Sequence, residues 1–426
     1  MFALINARIY DFSDYIGNGY IVFDEKITET GDMKDFIDKG YRIVDGSGCI
    51  VMPSLTVAHT HIYSAFARGM NISFDPRNFQ DILDQLWWKL DAQLDHDGIY
   101  LSGIISGGEY ACNGVTTIID HHASGLIKGS LSLLKKAVDE AGIRGMFCFE
   151  TSDRFDADAC ISENLADGDM FGLHASMSLS EETLGKVSKA IGNKPIHIHA
   201  AESMLDQENC IGHYGERVVE RLARHGLLKK GSILAHCVHI NEDEAALMSL
   251  NGCSAALNAQ SNMNNAVGLT DYRMLRDNGV RCLIGNDGMS MGIAGEWVSL
   301  LLAMKHRYMS PTAFGLTDLM DIMDNNYNFI NDAMGIRIGR LRKDYDADIL
   351  MIPYEPPTPM HENNAFAHII HGLAGSFRPR HVWCGGRRIV KDYKSVRIPK
   401  EIYEEARQAA GEIWKRIYGG NADEQT

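Results

Sequence analysis

The chain has 426 residues, with 41 basic and 56 acidic side chains and a formal net charge of -15. This charge repels a nucleic-acid backbone and an anionic membrane surface, and no apolar run approaches the ~20 residues of a membrane helix. The sequence opens without a basic and then apolar leader, and its nine scattered cysteines are never spaced as C-x-x-C, so we expect a cytoplasmic protein with reduced cysteines and no nucleic-acid or membrane partner.

Both ends of the chain contain short runs of alternating apolar and polar residues, separated by turns. Strand candidates near the start cover residues 2–5, 19–23 and 41–44, and those near the end cover 347–353 and 381–390. We expect residues 1–53 and 346–398 to form one small composite β-sandwich domain. Residues 399–426 predict a C-terminal helix and tail, and periodicity leaves open whether this helix packs on its own chain or on a second subunit.

Between these ends the pattern changes to strand, loop and helix, repeated. Most strand candidates are followed by a run with helical spacing. The eight candidates cover residues 55–61, 114–122, 144–150, 169–174, 195–199, 232–236, 254–258 and 280–287. Eight strands with intervening helices are typical of a TIM-type (β/α)8 barrel. We therefore predict an α/β protein whose barrel domain spans residues 54–345.

Histidines gather at the C-terminal ends of these strands, where barrel enzymes place functional side chains. His59 and His61 share one parity on the first strand, so both imidazoles point the same way and can bind one metal ion. An isolated His-x-His pair is more often structural. The other strand ends, however, carry His121, His122, His174, His199, His236 and Asp287. The set as a whole favours a metal site at one mouth of the barrel.

Five motifs carry a family resemblance. They are His-Thr-His at 59–61, His-Ala-Ala-Glu at 199–202, Leu-Ala-His-Cys-Val-His at 234–239, Ser-Asn at 261–262 and Gly-Asn-Asp-Gly at 285–288. Together they resemble the amidohydrolase superfamily, in its triazine-hydrolase and nucleoside- or purine-deaminase branch, and are similar to the aminohydrolases called SsnA. The sequence departs from the family pattern at Ser54 (usually glycine), at Asn286 (usually threonine or serine) and at 258–262, which lacks the usual proline.

The resemblance and the residue types together predict one divalent metal ion, with zinc favoured over iron. His59, His61, His199 and Asp287 offer three nitrogens and one oxygen, and a catalytic zinc site keeps one position open for water. A bound Zn²⁺ lowers the pKa of that water to ~7. Superfamily members with two metals bridge them with a carboxylated lysine on the fourth strand, whereas this strand ends at His174 with no lysine in reach. One ion is therefore expected.

Further residues are predicted to move protons or to contact the substrate. Glu202 lies three residues beyond His199 and is expected to carry a proton to the leaving nitrogen. His236 is expected to hold the attacking hydroxide or the oxyanion, and Asp287 to help take the water proton. The predicted substrate contacts are His174, one of His121 and His122, and Trp87, which with Trp88 offers a stacking face. Core packing is an equal alternative for the two tryptophans.

These residues predict hydrolytic deamination of an amino-substituted nitrogen heterocycle of the purine, pterin, pyrimidine or triazine type. One alternative is ring opening of a cyclic amide or amidine at the same site. A second is a non-catalytic metal-binding barrel, although such a protein has no use for Glu202 and His236 above the metal. The G-x-S-x-G match at 288–292 suggests a serine hydrolase, a weaker interpretation because Asp287 belongs to the metal set. The expected partners are a small heterocyclic substrate and further copies of the chain.

Overall fold

The computed structural model describes residues 1–70 and 74–419. The strands are β1 (Phe2–Tyr10), β2 (Tyr15–Phe23), β3 (Ile27–Asp32), β4 (Arg42–Asp45), β5 (Cys49–Pro53), β6 (Leu55–Thr60), β7 (Val115–His122), β8 (Arg144–Phe149), β9 (Phe171–Ala175), β10 (Ile196–Ala200), β11 (Ile233–His236), β12 (Ser254–Leu257), β13 (Arg281–Ile284), β14 (Ile349–Pro353), β15 (His381–Cys384), β16 (Arg387–Lys391) and β17 (Lys394–Ser395).

The α-helices are α1 (Phe79–Ile82), α2 (Trp88–Asp91), α3 (His96–Cys112), α4 (Ser130–Ala141), α5 (Ala157–Ala166), α6 (Glu181–Ala190), α7 (Met204–Tyr214), α8 (Val218–Arg224), α9 (Glu242–Leu250), α10 (Ala259–Asn264), α11 (Tyr272–Asp277), α12 (Ala294–Arg307), α13 (Leu316–Met334), α14 (Ala365–His368) and α15 (Lys400–Tyr418). Among residues 1–70 and 74–419, no helix combines the length and the apolar content needed to cross a membrane.

Eight parallel strands, β6 to β13, form the centre of the fold. They make a three-stranded sheet, β6-β7-β8, and a five-stranded sheet, β13-β12-β11-β10-β9. Single parallel bridges, Thr60 to Asp287 and Thr151 to Leu173, join the two sheets at both edges. The strand order is the one found in TIM-type barrels, and β6 to β13 are therefore named the barrel strands, although the hydrogen-bonded ladders do not close into a ring. The predicted α/β class and the eight predicted strands are confirmed.

The helix boundaries follow local signals in the sequence. Asn241 Oδ1 accepts a hydrogen bond from the Glu244 backbone at 2.9 Å, and Glu244 Oε2 accepts one from the Asn241 backbone at 3.0 Å, which makes a capping box at the start of α9. Ser180 caps α6. Gly142 ends α4 with a φ of 92°, a conformation that glycine adopts without strain. These caps place the following strands, and therefore the site residues at their ends.

The two ends of the chain share one nine-stranded sheet. Its order is β17-β16-β15-β14-β5-β1-β2-β3, and β4 pairs with β1. The N-terminal strand β5 pairs antiparallel with the C-terminal strand β14. Leu4, Phe23, Ile349 and Trp383 belong to the buried core of this sheet. The composite nature of the sheet agrees with the sequence analysis, whereas the two-layer sandwich stays a prediction.

Asp348 joins this sheet to the barrel. Its carboxylate is 1% exposed. Oδ2 accepts hydrogen bonds from Thr116 on β7 and from Arg144 on β8, both at 2.6 Å, and Oδ1 accepts one from the backbone of Gly385, beyond β15, at 2.8 Å. A buried carboxylate with donors from three segments links elements that are far apart in the sequence.

Replacing Asp348 with alanine is expected to lower the free energy of unfolding by about 3 kcal/mol, because Arg144 loses the partner of its partly buried charge. Urea denaturation measures this change. The matched control is Asp277→Ala, which removes an ion pair to Arg276 whose side chains are 63% and 47% exposed and is expected to cost less than about 1 kcal/mol. Equal effects of the two substitutions would contradict the role given to Asp348.

The C-terminal helix α15 packs on its own chain. Its Ala406 and Ile413 are buried, and its principal contacts are with α3. Trp414 Nε1 donates to the Phe66 carbonyl at 2.7 Å. The apolar stripe of this helix is therefore covered within the chain. A homo-oligomer stays a prediction, and residues 420–426 of the predicted tail lie outside the described residues.

Residues 79–91, between the first two barrel strands, are helical. It comprises α1, a π-helical turn (Leu83–Trp87) and α2. Asn78 Oδ1 accepts from the Asp81 backbone at 3.0 Å and caps α1, and this Asn-x-x-Asp spacing is a helix-start signal that was available in the sequence. The helical path brings Trp87 and Trp88 to the mouth of the barrel.

Candidate active site

Four side chains converge where the barrel strands end. His59 is on β6 and His61 follows it, His199 is on β10, and Asp287 follows β13. One ligand atom from each lies within 4.8 Å of the other three. His61 Nε2 is 3.0 Å from His199 Nε2 and 3.0 Å from Asp287 Oδ1, and His59 Nε2 is 3.3 Å from the same oxygen. The residues predicted as metal ligands therefore surround one point.

Partners behind the rings fix the orientation of two of these histidines. His61 Nδ1 lies 2.6 Å from the backbone carbonyl of His121, and His199 Nδ1 lies 3.0 Å from that of His174. A carbonyl oxygen only accepts, so each Nδ1 carries the proton and donates. In the neutral rings, both Nε2 atoms then present lone pairs to the common point. Histidine metal ligands show this arrangement.

The donor set fits a divalent metal ion. Two imidazole nitrogens and Asp287 Oδ1 about 3 Å apart require a positive charge among them, either a shared proton or a metal ion. Burial lowers the pKa of His61, but Asp287 outweighs burial and raises that pKa to about 9, which reflects the same requirement for positive charge. The buried Nε2 of His59 has no hydrogen-bond partner among the described residues. Burial lowers the pKa of His59 to about 3 and the pKa of His199 well below its ordinary value. Both rings are therefore neutral near pH 7, the form that binds zinc.

Electrostatics keep Asp287 ionised. Burial alone raises the pKa of its carboxyl group, but the contacts with His59 and His61 outweigh burial and hold the pKa well below the usual range. Its second oxygen, Oδ2, accepts a hydrogen bond from Ser261 Oγ. One oxygen is therefore oriented by Ser261, while the other faces the histidines, as a monodentate metal ligand requires.

Glu202 and His236 lie beside this cluster. Glu202 follows β10, His236 ends β11, and Glu202 Oε2 is 3.6 Å from His236 Nε2. Burial raises the pKa of Glu202 to about 7, although His236 acts in the opposite direction. A carboxyl group with a pKa near neutrality both takes up and releases protons at physiological pH. The position and the pKa suit the proton carrier expected at Glu202.

Helix α10 and the residue after it provide hydrogen-bond partners for three of these groups. The pairs are Ser261 Oγ with Asp287 Oδ2, Asn262 Oδ1 with His236 Nδ1 at 2.7 Å, and Asn265 Nδ2 with Glu202 Oε1 at 3.3 Å. The start of α10 is held by Glu296, whose Oε1 accepts from the Gln260 backbone at 3.0 Å. The Ser-Asn motif therefore orients side chains at the site.

Asn262→Ala is expected to reduce turnover roughly 10-fold to 100-fold, the range for loss of a partner that orients a histidine. Without the Asn262 carbonyl, His236 Nδ1 loses its acceptor and the ring loses its fixed tautomer. Steady-state kinetics with parallel metal analysis measure the effect. Asn262→Asp retains an acceptor and is expected to restore most of the turnover. Equal losses in both variants, or a loss of metal, would contradict this role.

The backbone at the site adopts conformations that are rare for residues with a side chain. Ala201, His236 and Asp287 have φ values of 49°, 69° and 53°. Such residues concentrate at functional sites, where the surrounding structure enforces them. Gly285 has a different requirement, because a Cβ there would lie 2.6 Å from the His59 carbonyl oxygen. The Gly-Asn-Asp-Gly motif therefore allows β13 to approach β6 closely.

A cavity lies above the cluster and contains several of the predicted contacts. Its polar wall includes His61, His199, Glu202 and Asp287, and its apolar wall includes Phe79, Leu83, Trp87 and Trp88. His174 also lines the cavity, and burial lowers its pKa to about 4. The structure therefore brings Trp87 and His174 to a space that a planar ligand can occupy. An adjoining outer cavity shares Phe79, Trp88 and Asn265 with it.

His121 and His122 lie behind the cavity wall. Both are fully buried, and neither lines the cavity in the described part of the chain. His121 Nε2 lies 3.1 Å from the His197 carbonyl, and the His122 ring packs near Tyr63. Because side chains alternate along a strand, only one of two adjacent histidines can point inward. The alternation does not show whether other rings already occupy the space that this histidine would reach. The prediction that one of them contacts the substrate gains no support from this geometry.

Glu150 is a site residue that sequence reasoning missed. It follows β8, lines the cavity, and places Oε1 3.2 Å from His121 Nδ1 and 3.4 Å from His61 Nδ1. Burial raises its pKa, but His121, His174 and His61 outweigh burial and hold the pKa below its usual range. The position at the end of the third barrel strand was an available signal.

The serine hydrolase interpretation finds no matching geometry. Ser290 lies between β13 and α12 and is exposed. Among the described residues, no histidine forms a hydrogen bond with its hydroxyl, although its carbonyl accepts from Asn286 Nδ2. A nucleophilic serine needs a base within hydrogen-bond reach. The G-x-S-x-G match is therefore only a turn before α12.

Two comparisons by sequence give related results. A family model described as the amidohydrolase family matches residues 50–389. A curated relative, named 5'-deoxyadenosine deaminase, from Methanoregula boonei is 28% identical over 399 residues, which cover 88% of this chain and 86% of the relative. The match therefore extends over nearly the whole of both chains.

Solved structures with the same fold also superpose on nearly the whole chain. An adenosine deaminase from Xanthomonas campestris with bound zinc superposes with a TM-score of 0.84 at 18% identity and covers 97% of this chain and 98% of its own. The atrazine chlorohydrolase TrzN from Arthrobacter aurescens TC1, complexed with zinc, gives a TM-score of 0.79 at 19% identity, with 96% and 100% covered. At these identities the likeness establishes the fold.

Proposed function

The chain belongs to the amidohydrolase family, and from this premise we propose that it is a metal-dependent aminohydrolase that removes an exocyclic amino group from a nitrogen heterocycle. Water adds to the ring carbon that bears the amino group, the carbon–nitrogen bond breaks, and the nitrogen leaves as ammonia. The relatives and structural neighbours are named as deaminases of adenosine-type compounds and as a triazine chlorohydrolase. They support a heterocyclic substrate for this chain.

The observation that carries the proposal is the convergence of His59, His61, His199 and Asp287 beside Glu202. Their ligand atoms lie within 4.8 Å of one another, and this cluster lines a cavity with an apolar, aromatic wall. When bound there, a zinc ion supplies Lewis-acid activation of water near neutral pH. A site with only a structural metal has no need of an adjoining cavity or of a proton carrier.

We infer that the site holds one ion. A second possible ligand group, His61, His121, Glu150 and His199, shares two residues with the first, and a third group of only three side chains, Glu202, His236 and Asp287, shares Asp287 with it. Each Nε2 lone pair binds one metal, and the Nδ1 atoms of His61 and His199 are occupied by backbone carbonyls. The first and second groups are therefore alternatives. The first is favoured because His59 Nε2 is buried without a partner.

The protein's own groups account for the proton transfers. Glu202, with a pKa near 7, takes the proton of the attacking water and delivers it to the departing nitrogen. His236 donates from Nδ1 to Asn262 and directs Nε2 towards Glu202; when Nε2 also takes up a proton, the ring is a cation that stabilises negative charge on the incoming oxygen. Trp87 and Trp88 exclude water and provide a flat apolar surface for a planar ring.

A second part of the proposal concerns the domain architecture of the chain. We infer that the eight parallel strands close into a (β/α)8 barrel over residues 54–345, and that residues 1–53 and 346–398 form a composite β-sandwich domain. The two edge bridges between the parallel sheets support the closure. The pairing of β5 with β14 supports the composite domain.

The proposal is tested by incubating zinc-loaded protein with a panel of aminopurines, pterins, aminopyrimidines and aminotriazines, followed by ammonia detection and product mass. Release of one ammonia, with oxygen in place of the amino group, is the expected result. A gain of one water without ammonia would replace deamination by ring opening. Absence of any product would contradict catalysis on this substrate class.

A further inference from the structure

Glu150 lines the same cavity as Glu202 and the metal-ligand cluster. It follows the third barrel strand, whereas Glu202 follows the fifth. A Glu150 oxygen lies within 4.8 Å of ligand atoms of His61 and His199. Two carboxyl groups from different strands therefore lie beside the metal-ligand cluster, and the proposed function uses only Glu202.

Oε2 of Glu150 has no donor among the described residues. Oε1 lies 3.2 Å from His121 Nδ1, and Oε2 lies 3.9 Å from His174 Nε2. The residue is 3% exposed and lines the cavity. A ligand that fills this cavity removes water from the carboxylate, and that is costly unless the ligand supplies a donor in its place.

His174 does not supply the missing proton. The Ser178 hydroxyl donates to the Ala175 carbonyl at 3.0 Å, so its oxygen accepts from His174 Nδ1 at 2.7 Å. With the proton on Nδ1, Nε2 of the neutral ring is an acceptor. The cavity therefore presents two adjacent acceptors, Glu150 Oε2 and His174 Nε2. Only a ligand that brings its own N–H or O–H group satisfies both.

We propose that Glu150 determines specificity by accepting a hydrogen bond from a ring N–H next to the attacked carbon. This inference rests on the proposed function. It narrows the substrate to heterocycles that contain the unit –NH–C(NH2)=N–, as in 2-amino-4-oxopyrimidines, pterins and guanine. The N–H binds Glu150, with His174 beside it, and the unprotonated ring nitrogen faces Glu202 on the other side of the carbon.

A hydroxyl group of a sugar is the other possible donor, and the position of Glu150 argues against it. The carboxylate is within 4.8 Å of ligand atoms of the metal cluster, so it lies at the distance of an atom adjacent to the reacting carbon. A sugar attached across the ring lies a full ring width away. The outer cavity, lined by Arg77, Ser180 and Asn209 among others, is the space for such a substituent.

The test compares matched substrates on the zinc-loaded wild-type protein. Guanine, pterin and isocytosine are each paired with the form methylated on the ring nitrogen between the amino carbon and the carbonyl. Methylation removes the N–H and leaves the amino group in place. The unmethylated member of a pair is expected to have a kcat/KM roughly 100-fold higher or more, because a site built around one donor rejects the analogue without it.

Glu150→Gln is the matched variant, since glutamine keeps the size but has a neutral, weaker acceptor. It is expected to reduce the preference for the unmethylated substrate by roughly 10-fold or more, with normal zinc content. Glu150→Asp keeps the charge and is expected to retain part of the preference. Glu404→Gln, the same change on the exposed face of α15, is expected to leave the preference unchanged. The wild-type pairs alone decide the matter if a Glu150 variant does not fold.

The outcomes separate this inference from the proposed function. Equal turnover of both members of every pair would overturn the role of Glu150 while leaving deamination intact. Turnover confined to adenine or 5'-deoxyadenosine, which lack this N–H, would overturn it as well and would favour a sugar hydroxyl as the donor. If no heterocycle of any kind releases ammonia, the proposed function itself fails.

Discussion

Glu202→Gln is expected to lower turnover roughly 100-fold or more, the range for loss of a general acid-base group, while the metal content stays near normal. Glutamine preserves the size of the side chain and the hydrogen bond from Asn265, but it cannot ionise. Because Glu202 lies 3.6 Å from His236 and outside the four-ligand cluster, the substitution removes proton transfer without removing a ligand. Steady-state kinetics and metal analysis on the same sample measure both quantities.

The control for this substitution is Glu208→Gln, the same change on an exposed position of α7, which is expected to retain full turnover. A Glu202→Gln protein with full turnover would show that another group moves the proton. A Glu202→Gln protein that cannot hold metal would instead make Glu202 a ligand. Either result would contradict the assignment of Glu202 as a proton carrier that is not a metal ligand.

His199→Ala is expected to abolish metal binding at stoichiometric zinc, and turnover with it. His199 Nε2 lies 3.0 Å from His61 Nε2 in the ligand cluster, and its loss leaves three ligands. The loss of affinity should exceed the 10-fold to 100-fold that follows loss of a partner behind a ligand. Zinc retained after gel filtration is measured for the variant and for His213→Ala, a change at an exposed histidine of α7. Full zinc content in His199→Ala would contradict the ligand assignment.

The sequence was most informative where a residue type has one structural use. Asn241 with Glu244, and Gly142 after a helical run, fixed helix ends because caps are local interactions. The parity of His59 and His61 predicted their common direction, since side chains alternate along a strand. Counting eight strand candidates then predicted the strand order. That order placed Asp287, after the eighth strand, beside His59 and His61 on the first, more than 200 positions earlier in the chain.

The sequence was not informative where the direction of a side chain or a tertiary contact determines the role of a residue. Glu150 carries no motif, and its role depends on rings from three other segments that surround it. His121 and His122 are adjacent histidines, and only packing against His197 and Tyr63 shows that both lie behind the cavity wall. The direction of the α15 stripe was equally open, because periodicity identifies an apolar face without its partner.

The central claim is that hydrolysis requires one metal ion, held by His59, His61, His199 and Asp287, and no second ion. The most direct measurement is a titration of metal-free protein with Zn²⁺, in which bound zinc and turnover are followed together. The account predicts no turnover without metal and a linear rise that reaches its plateau at one equivalent per chain. A plateau at two equivalents, or full turnover of the metal-free protein, would contradict it.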